Sequence, residues 1–291
     1  MAYLGLVLAL GACRGGTTGP DAVGGAPGDP PGTVVATENF EDGALPTGGW
    51  AIGAQSGGQV AISADPAANY ASSAGSLKGT YPVPNGGVYV WAGYSLSPYA
   101  TRSVLVEFWA KMPGPKHGLK FLKVFGRGTS ASYANTTFGL DYTGNDNGSM
   151  YVVSFGDGSV TTNDTANVIF LSGANPSWIG RSYGTASVAT PQLAPWASAN
   201  WGSDWHHFRL YVRFNSGTSA ATEAPDGAFY VEIDGKVYVR ATGLFNRHYS
   251  NEPIDRVELF GWSQGATGTT PPFEVWYDSV RITVNAAMPA A

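Results

Sequence analysis

The 291-residue sequence has a single cysteine, few charged residues and no long helical pattern. One cysteine excludes a disulfide within the chain. The 16 basic residues are outnumbered by 21 acidic ones, so the chain lacks the basic surplus that nucleic-acid binding normally requires. No phosphate loop, nucleophile elbow or zinc-ligand spacing occurs. With 40 glycines and 19 prolines, the composition also excludes a helical bundle or coiled coil.

The N-terminal residues 1–13, MAYLGLVLALGAC, are a short apolar run that ends in small residues and the cysteine. The run is shorter than the roughly 20 apolar residues that span a bilayer, but it fits an export signal. Residues 10–13, LGAC, resemble the lipobox of bacterial lipoproteins, which predicts lipidation of Cys13. A plainly cleaved signal and a buried apolar strand are the alternatives. We expect a bacterial envelope protein, lipid-anchored or secreted, that meets the membrane only through its lipid.

Residues 14–33 are rich in glycine, proline and threonine and contain almost nothing that could join a core. Such a composition predicts a flexible tether between the anchor and a folded domain. The composition then stays uniform over residues 34–286, with no second linker. We therefore predict one domain over residues 34–286.

Within this domain the repeating feature is alternation of apolar and polar residues, broken by glycine, proline and Asn/Asp clusters. In residues 104–111, VLVEFWAK, every second residue is apolar, and residues 207–214 alternate in the same way. Alternation places apolar residues on one face of a strand. Many short strands of this kind predict an all-β fold, a two-sheet antiparallel jelly-roll sandwich.

A hairpin is predicted around Asp234 and Gly235, since both central residues of a two-residue turn must tolerate positive φ. This turn role separates Asp234 from Glu232, which faces outward on the preceding strand. The two carboxylates therefore do not form the Glu-x-Asp-x-x-Glu pattern of jelly-roll glycoside hydrolases, whose third position is Val237 here.

The motif WHHF at 205–208, followed by FYVEIDGK at 229–236, resembles the strand pair of concanavalin A-like and laminin G-like jelly rolls. Residues 40–43 with Trp50 are similar to the opening strand of such domains, and residues 276–280 to the closing one. A weaker similarity, in the order of these strand and turn features, is to jelly-roll polysaccharide lyases. The resemblance implies a sheet that engages a polysaccharide, as in lectins, binding modules, hydrolases and lyases of this fold.

A lyase must neutralise a uronate carboxylate and abstract the neighbouring proton. The outward row of His207, Arg209, Tyr211 and Arg213 has residue types for each role, with about 7 Å between successive members. The alternative is a solvated face on which Arg and Tyr pair with Glu232 or Glu258. The row is therefore a candidate sugar-contacting face.

The densest basic patch, residues 117–127, contains His117 and Lys123. A buried lysine there would attract an anionic ligand or act as a base at lowered pKa. The alternative is a sheet edge kept soluble by lysines. If the protein is a lyase, the candidate catalytic residues are His117, Lys123, His207, Arg209 and Tyr211.

Aromatic side chains are the usual platform for sugar rings, and several share outward parity on their strands. Exposed tryptophans are costly without a ligand, although a loop-covered secondary core would explain them equally well. The predicted substrate-binding residues are Arg213, Trp109, Tyr230, Glu232, Trp262 and Trp276.

Glu41, Asp42 and Asp278 come from the two ends of the domain, where the first and last strands of jelly rolls commonly pair. Their oxygen atoms suit Ca²⁺, so a structural calcium ion is expected there. For the whole protein, the sequence favours carbohydrate binding. A lyase that cleaves a uronic-acid glycan by β-elimination, and a structural or adhesive surface protein, are the alternatives.

Overall fold

A computed structural model of the chain describes residues 32–82, 87–112, 119–126, 135–140, 150–155, 165–170, 177–180, 187–188, 204–217, 222, 224–244, 253–263 and 272–290. The predicted export signal with Cys13, most of the predicted tether, and His117 lie outside these residues. Within the described part, no helix has the length and apolarity needed to cross a membrane.

Within the described residues, sheet A contains nine strands, and neighbouring strands pair antiparallel. In spatial order these are β12 (Ser187–Val188), β15 (Lys236–Leu244), β14 (Gly227–Ile233), β13 (His206–Arg213), β6 (Ser103–Lys111), β17 (Phe273–Val284), β4 (Ser76–Tyr81) and β3 (Gln59–Ser63), and β1 (Thr33–Glu38) also pairs with β17.

In the same described part of the chain, sheet B contains eight strands, which are again antiparallel. In spatial order these are β11 (Ser177–Gly180), β10 (Thr165–Phe170), β9 (Met150–Phe155), β8 (Asn135–Leu140), β7 (Lys120–Gly126), β16 (Ile254–Ser263), β5 (Val88–Ser95) and β2 (Trp50–Gln55). Two short 3₁₀ turns, Tyr70–Ser72 and Ser97–Tyr99, complete the described structure. The predicted two-sheet jelly-roll sandwich is confirmed.

The main core lies between the inner faces of the two sheets, as the alternation predicts. Phe208 of β13 is fully buried and its ring contacts Phe108 of β6 and, across the sandwich, Phe121 of β7. The buried hydroxyl of Tyr277 donates a 2.6 Å hydrogen bond to the carbonyl of Phe121, which ties β17 of sheet A to β7 of sheet B. The main core of the described residues is formed by apolar side chains and tyrosines, so an outer face is better suited to a polar ligand.

The predicted hairpin joins β14 to β15 at Asp234 and Gly235, whose φ values are 51° and 75°. The Asp234 carboxylate accepts hydrogen bonds from the backbone N–H of His207 and contacts His206 Nδ1 at 2.7 Å. Asp234 therefore has the structural role expected of it, and it does not act with Glu232 as a carboxylate pair.

The two ends of the domain meet where β1 pairs with β17, as expected. The first strand begins at Thr33, one residue before the predicted start of the domain. Residues 40–43 were expected to belong to the opening strand, and this was wrong. They form a turn after β1 in which Phe40 adopts a φ of 59° and the N–H of Gly43 bonds to its carbonyl. Trp50 begins β2.

Candidate functional site

The predicted row on β13 lies on the outer face of sheet A, where the guanidinium of Arg209 is bound by two carboxylates. Arg209 Nε donates to Glu107 at 3.0 Å and its Nη1 donates to Glu232 at 3.2 Å. Burial opposes the charged guanidinium, but Glu232 and Glu107 more than offset this and raise the pKa of Arg209. Glu107 also lies 3.5 Å from Arg281. The charges here are compensated within the protein.

Tyr211 and Tyr230 are buried on this face beneath the C-terminal segment. With Leu105, Ala228 and Ala286 they form a second, smaller apolar core. The Tyr230 hydroxyl donates to Glu232, and burial is the main cause of its raised pKa. For these two tyrosines the structure agrees with a covered secondary core rather than a sugar platform.

The remaining predicted residues of sheet A also have partners in the protein. His207 packs against Trp109 with a ring separation of 5.1 Å, and burial lowers the pKa of this histidine. Arg213 Nε donates to the carbonyl of Asp226 at 2.6 Å. Trp276 lies 4.9 Å from the ammonium of Lys111. The side chain of Trp262 lies outside what the structure describes.

The carboxylates expected to bind calcium lie at the junction of the termini. Asp278 is 1% exposed, and its Oδ2 accepts from Ser76 at 2.5 Å and from Ser73 at 3.2 Å. Glu41 accepts from the N–H of Ala74, and Asp42 from the N–H of Ala44. Burial and the nearby Glu41 raise the pKa of Asp278 to about 7, although its hydrogen bonds act in the opposite direction.

No group of three or more potential metal ligands is found among the described residues. The Asp278 oxygens are already occupied by hydroxyl and amide donors. The calcium expectation remains a prediction.

Lys123, predicted from the basic patch, lies on the outer face of sheet B. Its strand β7 is an interior strand between β8 and β16, not the sheet edge that the alternative reading required. Lys123 is paired in register with Glu258 of β16, and its Nζ is 3.7 Å from the Glu258 carboxylate. The two side chains are 12% and 1% exposed.

Glu258 is the shared partner of several groups on this face. Besides Lys123, it lies 3.4 Å from Arg256 Nη2 and accepts a hydrogen bond from the Tyr89 hydroxyl. Burial, followed by the charge and hydrogen bond of Glu258, raises the pKa of Tyr89 well above its ordinary value. Tyr89 is therefore a neutral phenol at physiological pH.

The ammonium of Lys123 is destabilised by its surroundings. Burial lowers its pKa from 10.5 to about 8, with repulsion from Lys120 and Arg256 acting in the same direction and Glu258 acting against it. Burial also lowers the pKa of Lys120. A substantial fraction of Lys123 is therefore a neutral amine in weakly alkaline solution.

Aromatic rings adjoin these charges. Lys123 Nζ lies 4.7 Å from the centre of the Tyr89 ring, which stacks on Trp91 at 4.9 Å. The Arg256 guanidinium lies 4.4 Å from the centre of the Phe125 ring, and its side chain is 41% exposed. We call this set the sheet B cluster; it comprises Tyr89, Trp91, Lys123, Phe125, Arg256 and Glu258.

The residues predicted from the sequence are thus divided between two opposite outer faces. Lys123 belongs to sheet B, whereas His207, Arg209, Tyr211 and Arg213 belong to sheet A, so they do not line one groove. Most of the sheet B cluster was missed. The sequence feature that could have predicted its aromatic residues is the alternation in β5, where Tyr89 and Trp91 are two residues apart and so share one face of the strand.

Several solved structures share this fold. One is an endo-β-1,4-glucuronan lyase from the fungus Trichoderma reesei, with 14% identity, a TM-score of 0.57, and coverage of 87% of this chain and 96% of that one. Another is the alginate lyase vAL-1 from Chlorella virus, with 12% identity, a TM-score of 0.55, and coverage of 87% and 100%.

A GlcNAcα1-4Gal-releasing endo-β-galactosidase from Clostridium perfringens has 10% identity, a TM-score of 0.52, and coverage of 94% and 66%. The sequence matches no protein-family model and no curated protein. The expected resemblance to carbohydrate-active jelly rolls, polysaccharide lyases among them, is confirmed at the level of the fold.

Proposed function

We propose that the protein binds an acidic polysaccharide through the sheet B cluster. The observation that carries this proposal is a local excess of positive charge beside aromatic rings. Among the described residues, Lys123 and Arg256 share one carboxylate, Glu258, and Lys120 lies close enough to repel Lys123. The chain as a whole carries a net charge of −5, so this local group of cations differs in sign from the chain average.

The partly exposed guanidinium of Arg256 suits a uronate carboxylate, since its planar donors match the two oxygens. On sheet A, by contrast, Arg209 already has two carboxylate partners within the protein. The similarity in fold to two lyases of acidic glycans supports this choice of ligand.

Binding is tested by titrating the folded domain with alginate, glucuronan and polygalacturonate, with a neutral glucan as a comparison ligand. Lys123→Met should weaken binding to the acidic polymers at least tenfold. Lys78→Met is the matched control, because Lys78 lies on sheet A in an ion pair with Glu274 and its removal changes the net charge equally. Equal loss in both variants, or equal binding of the neutral glucan, would contradict the proposal.

We further propose that the protein lies outside the cytoplasm and is attached to the bacterial envelope through Cys13. An exported domain would meet extracellular glycans directly. Metabolic labelling with a fatty-acid analogue, comparing the wild type with Cys13→Ser, tests the anchor. Absence of label on the wild-type protein would leave a secreted form.

A second candidate function is a polysaccharide lyase, and the low pKa of Lys123 favours it. In β-elimination a base removes the proton at C5 of the uronate, a C4–C5 double bond forms, and the C4–O bond breaks. The leaving oxygen then takes a proton. The neutral amine of Lys123 is the candidate base, the Arg256 guanidinium would neutralise the carboxylate, and the protonated Tyr89 is a candidate proton donor.

This candidate is tested by following the ultraviolet absorbance of unsaturated uronate on the same panel of polymers. New absorbance that disappears in Lys123→Met supports a lyase. Binding without any new double bond would identify a binding protein. If neither binding nor cleavage occurs, the structural or adhesive alternative gains support.

A further inference from the structure

Trp91 lies over a glycine of the neighbouring strand. Gly53 of β2 is paired in register with Trp91 of β5. A Cβ atom added to Gly53 would lie 2.2 Å from one ring carbon of Trp91 and 2.8 Å from two others. Any side chain at position 53 would therefore displace the indole, and the glycine leaves room for it to lie across the sheet.

The indole is connected to the charged groups through Tyr89. Its ring stacks on Tyr89 at 25° between planes, and the Tyr89 ring also contacts the ammonium of Lys123. Trp91 and Tyr89 are both only half-buried. The Lys123 ammonium and the centre of the Trp91 ring are therefore separated by no more than the sum of the two contact distances, so that neighbouring units of one chain could contact both.

This surface has the chemistry of a sugar-ring platform. The C–H face of a pyranose packs on an indole, which offers a large apolar area with a fixed orientation. A half-exposed pair of aromatic rings beside cations would favour a ligand that is apolar on one face and anionic at one edge. A uronic-acid oligosaccharide has both properties.

We propose that Trp91 forms a separate sugar-ring subsite next to the uronate-binding position at Lys123 and Arg256, and that Gly53 is the positioning residue that sets the indole. The site would then recognise at least two consecutive units of a chain rather than a single uronate. This inference rests on the proposed binding of acidic polysaccharide.

The test compares a uronic-acid tetrasaccharide with the corresponding monosaccharide, using NMR titration and tryptophan fluorescence. Trp91→Ala should weaken tetrasaccharide binding about tenfold and leave monosaccharide binding unchanged. Gly53→Ala should cause a several-fold loss with the same selectivity. Lys123→Met should weaken the binding of both the tetrasaccharide and the monosaccharide.

Two control variants separate the subsite from general damage. Trp109→Ala removes a tryptophan from the opposite face, and Ala51→Ser adds one heavy atom at an exposed position of β2. Both should bind like the wild type, and near-ultraviolet circular dichroism should show that each variant is folded.

The possible results distinguish this inference from the function on which it rests. Normal tetrasaccharide binding by Trp91→Ala, together with weakened binding by Lys123→Met, would refute the subsite and leave the proposed function intact. Equal losses for the monosaccharide and the tetrasaccharide in Trp91→Ala would also refute it, since the indole would then only support the charged groups. A wild-type protein that binds no uronic-acid oligosaccharide would refute both.

Discussion

The buried carboxylate of Asp278 should make the protein less stable as the pH rises from about 4 to about 7. Its pKa is raised from the ordinary value of 3.8 to about 7, with burial as the largest cause and Glu41 adding to it. One pKa unit corresponds to about 1.4 kcal/mol, so the shift amounts to at most about 4 kcal/mol. This is a large fraction of the stability of an ordinary domain.

The direction follows from proton counting. The native state keeps the Asp278 proton up to about pH 7, whereas the unfolded chain loses it near pH 4. Between these values the unfolded state binds fewer protons, so the free energy of unfolding falls as the pH rises. The stabilisation is complete below pH 4 and lost above pH 7.

Asp278→Asn should remove this dependence, because the amide keeps a neutral acceptor and donor beside Ser73, Ser76 and Ser279. Urea unfolding at pH 4 and pH 8 measures the free energy in each case. The wild type should lose up to about 4 kcal/mol more than the variant between the two pH values. Asp42→Asn, a similar change at an exposed turn, should behave like the wild type.

Equal pH dependence in the wild type and Asp278→Asn would refute the reasoning. The same variant also tests the proposed calcium ion, because Ca²⁺ needs deprotonated carboxylate ligands. If Ca²⁺ binds at Glu41, Asp42 and Asp278, it should raise the melting temperature of the wild type at pH 8 but not that of Asp278→Asn. No change at pH 8 would contradict the calcium site.

Three further predictions address the two outer faces and the core. Arg209→Ala should lower the free energy of unfolding by about 3 kcal/mol, because it removes a guanidinium from the buried Glu107. This variant should bind the glycan like the wild type, and weakened binding would indicate that the glycan site is on sheet A. Gly79→Ala should cost about 1–3 kcal/mol in urea unfolding, because its Cβ would lie 2.6 Å from the buried Phe260 ring; unchanged stability would contradict this. If the protein is a lyase, its rate should rise with pH through about 8 as Lys123 loses its proton, and a profile that is flat from pH 6 to 9 would exclude this base.

The fold was predictable because its signals are local. Alternation in β6 and β13 identified the residues that face the main core on each strand, and the sequence Asp234-Gly235 identified the turn between β14 and β15. Both features depend on backbone geometry within a few residues.

The site was less predictable because it depends on which strands become neighbours. Parity placed Arg209 on an outward face, and the density of basic residues singled out Lys123, but neither signal carries information on which sheet each strand joins. Glu258, the residue that meets Lys123, comes from the distant strand β16. The register of that pairing is set by the packing of the whole core, so no local pattern identifies the partner.

The outward arginine and lysine residues of the two faces differ in how far nearby carboxylates compensate their charge. On sheet A, Arg209 and Arg281 meet Glu107 and Glu232, and the cations gain their partners during folding. On sheet B, one described carboxylate, that of Glu258, contacts two cations and a phenol, and the desolvated Lys123 has a lowered pKa. An incompletely compensated buried cation costs stability, and an anionic ligand would supply the missing charge. Sheet B is therefore the face on which a polysaccharide carboxylate would have the larger effect.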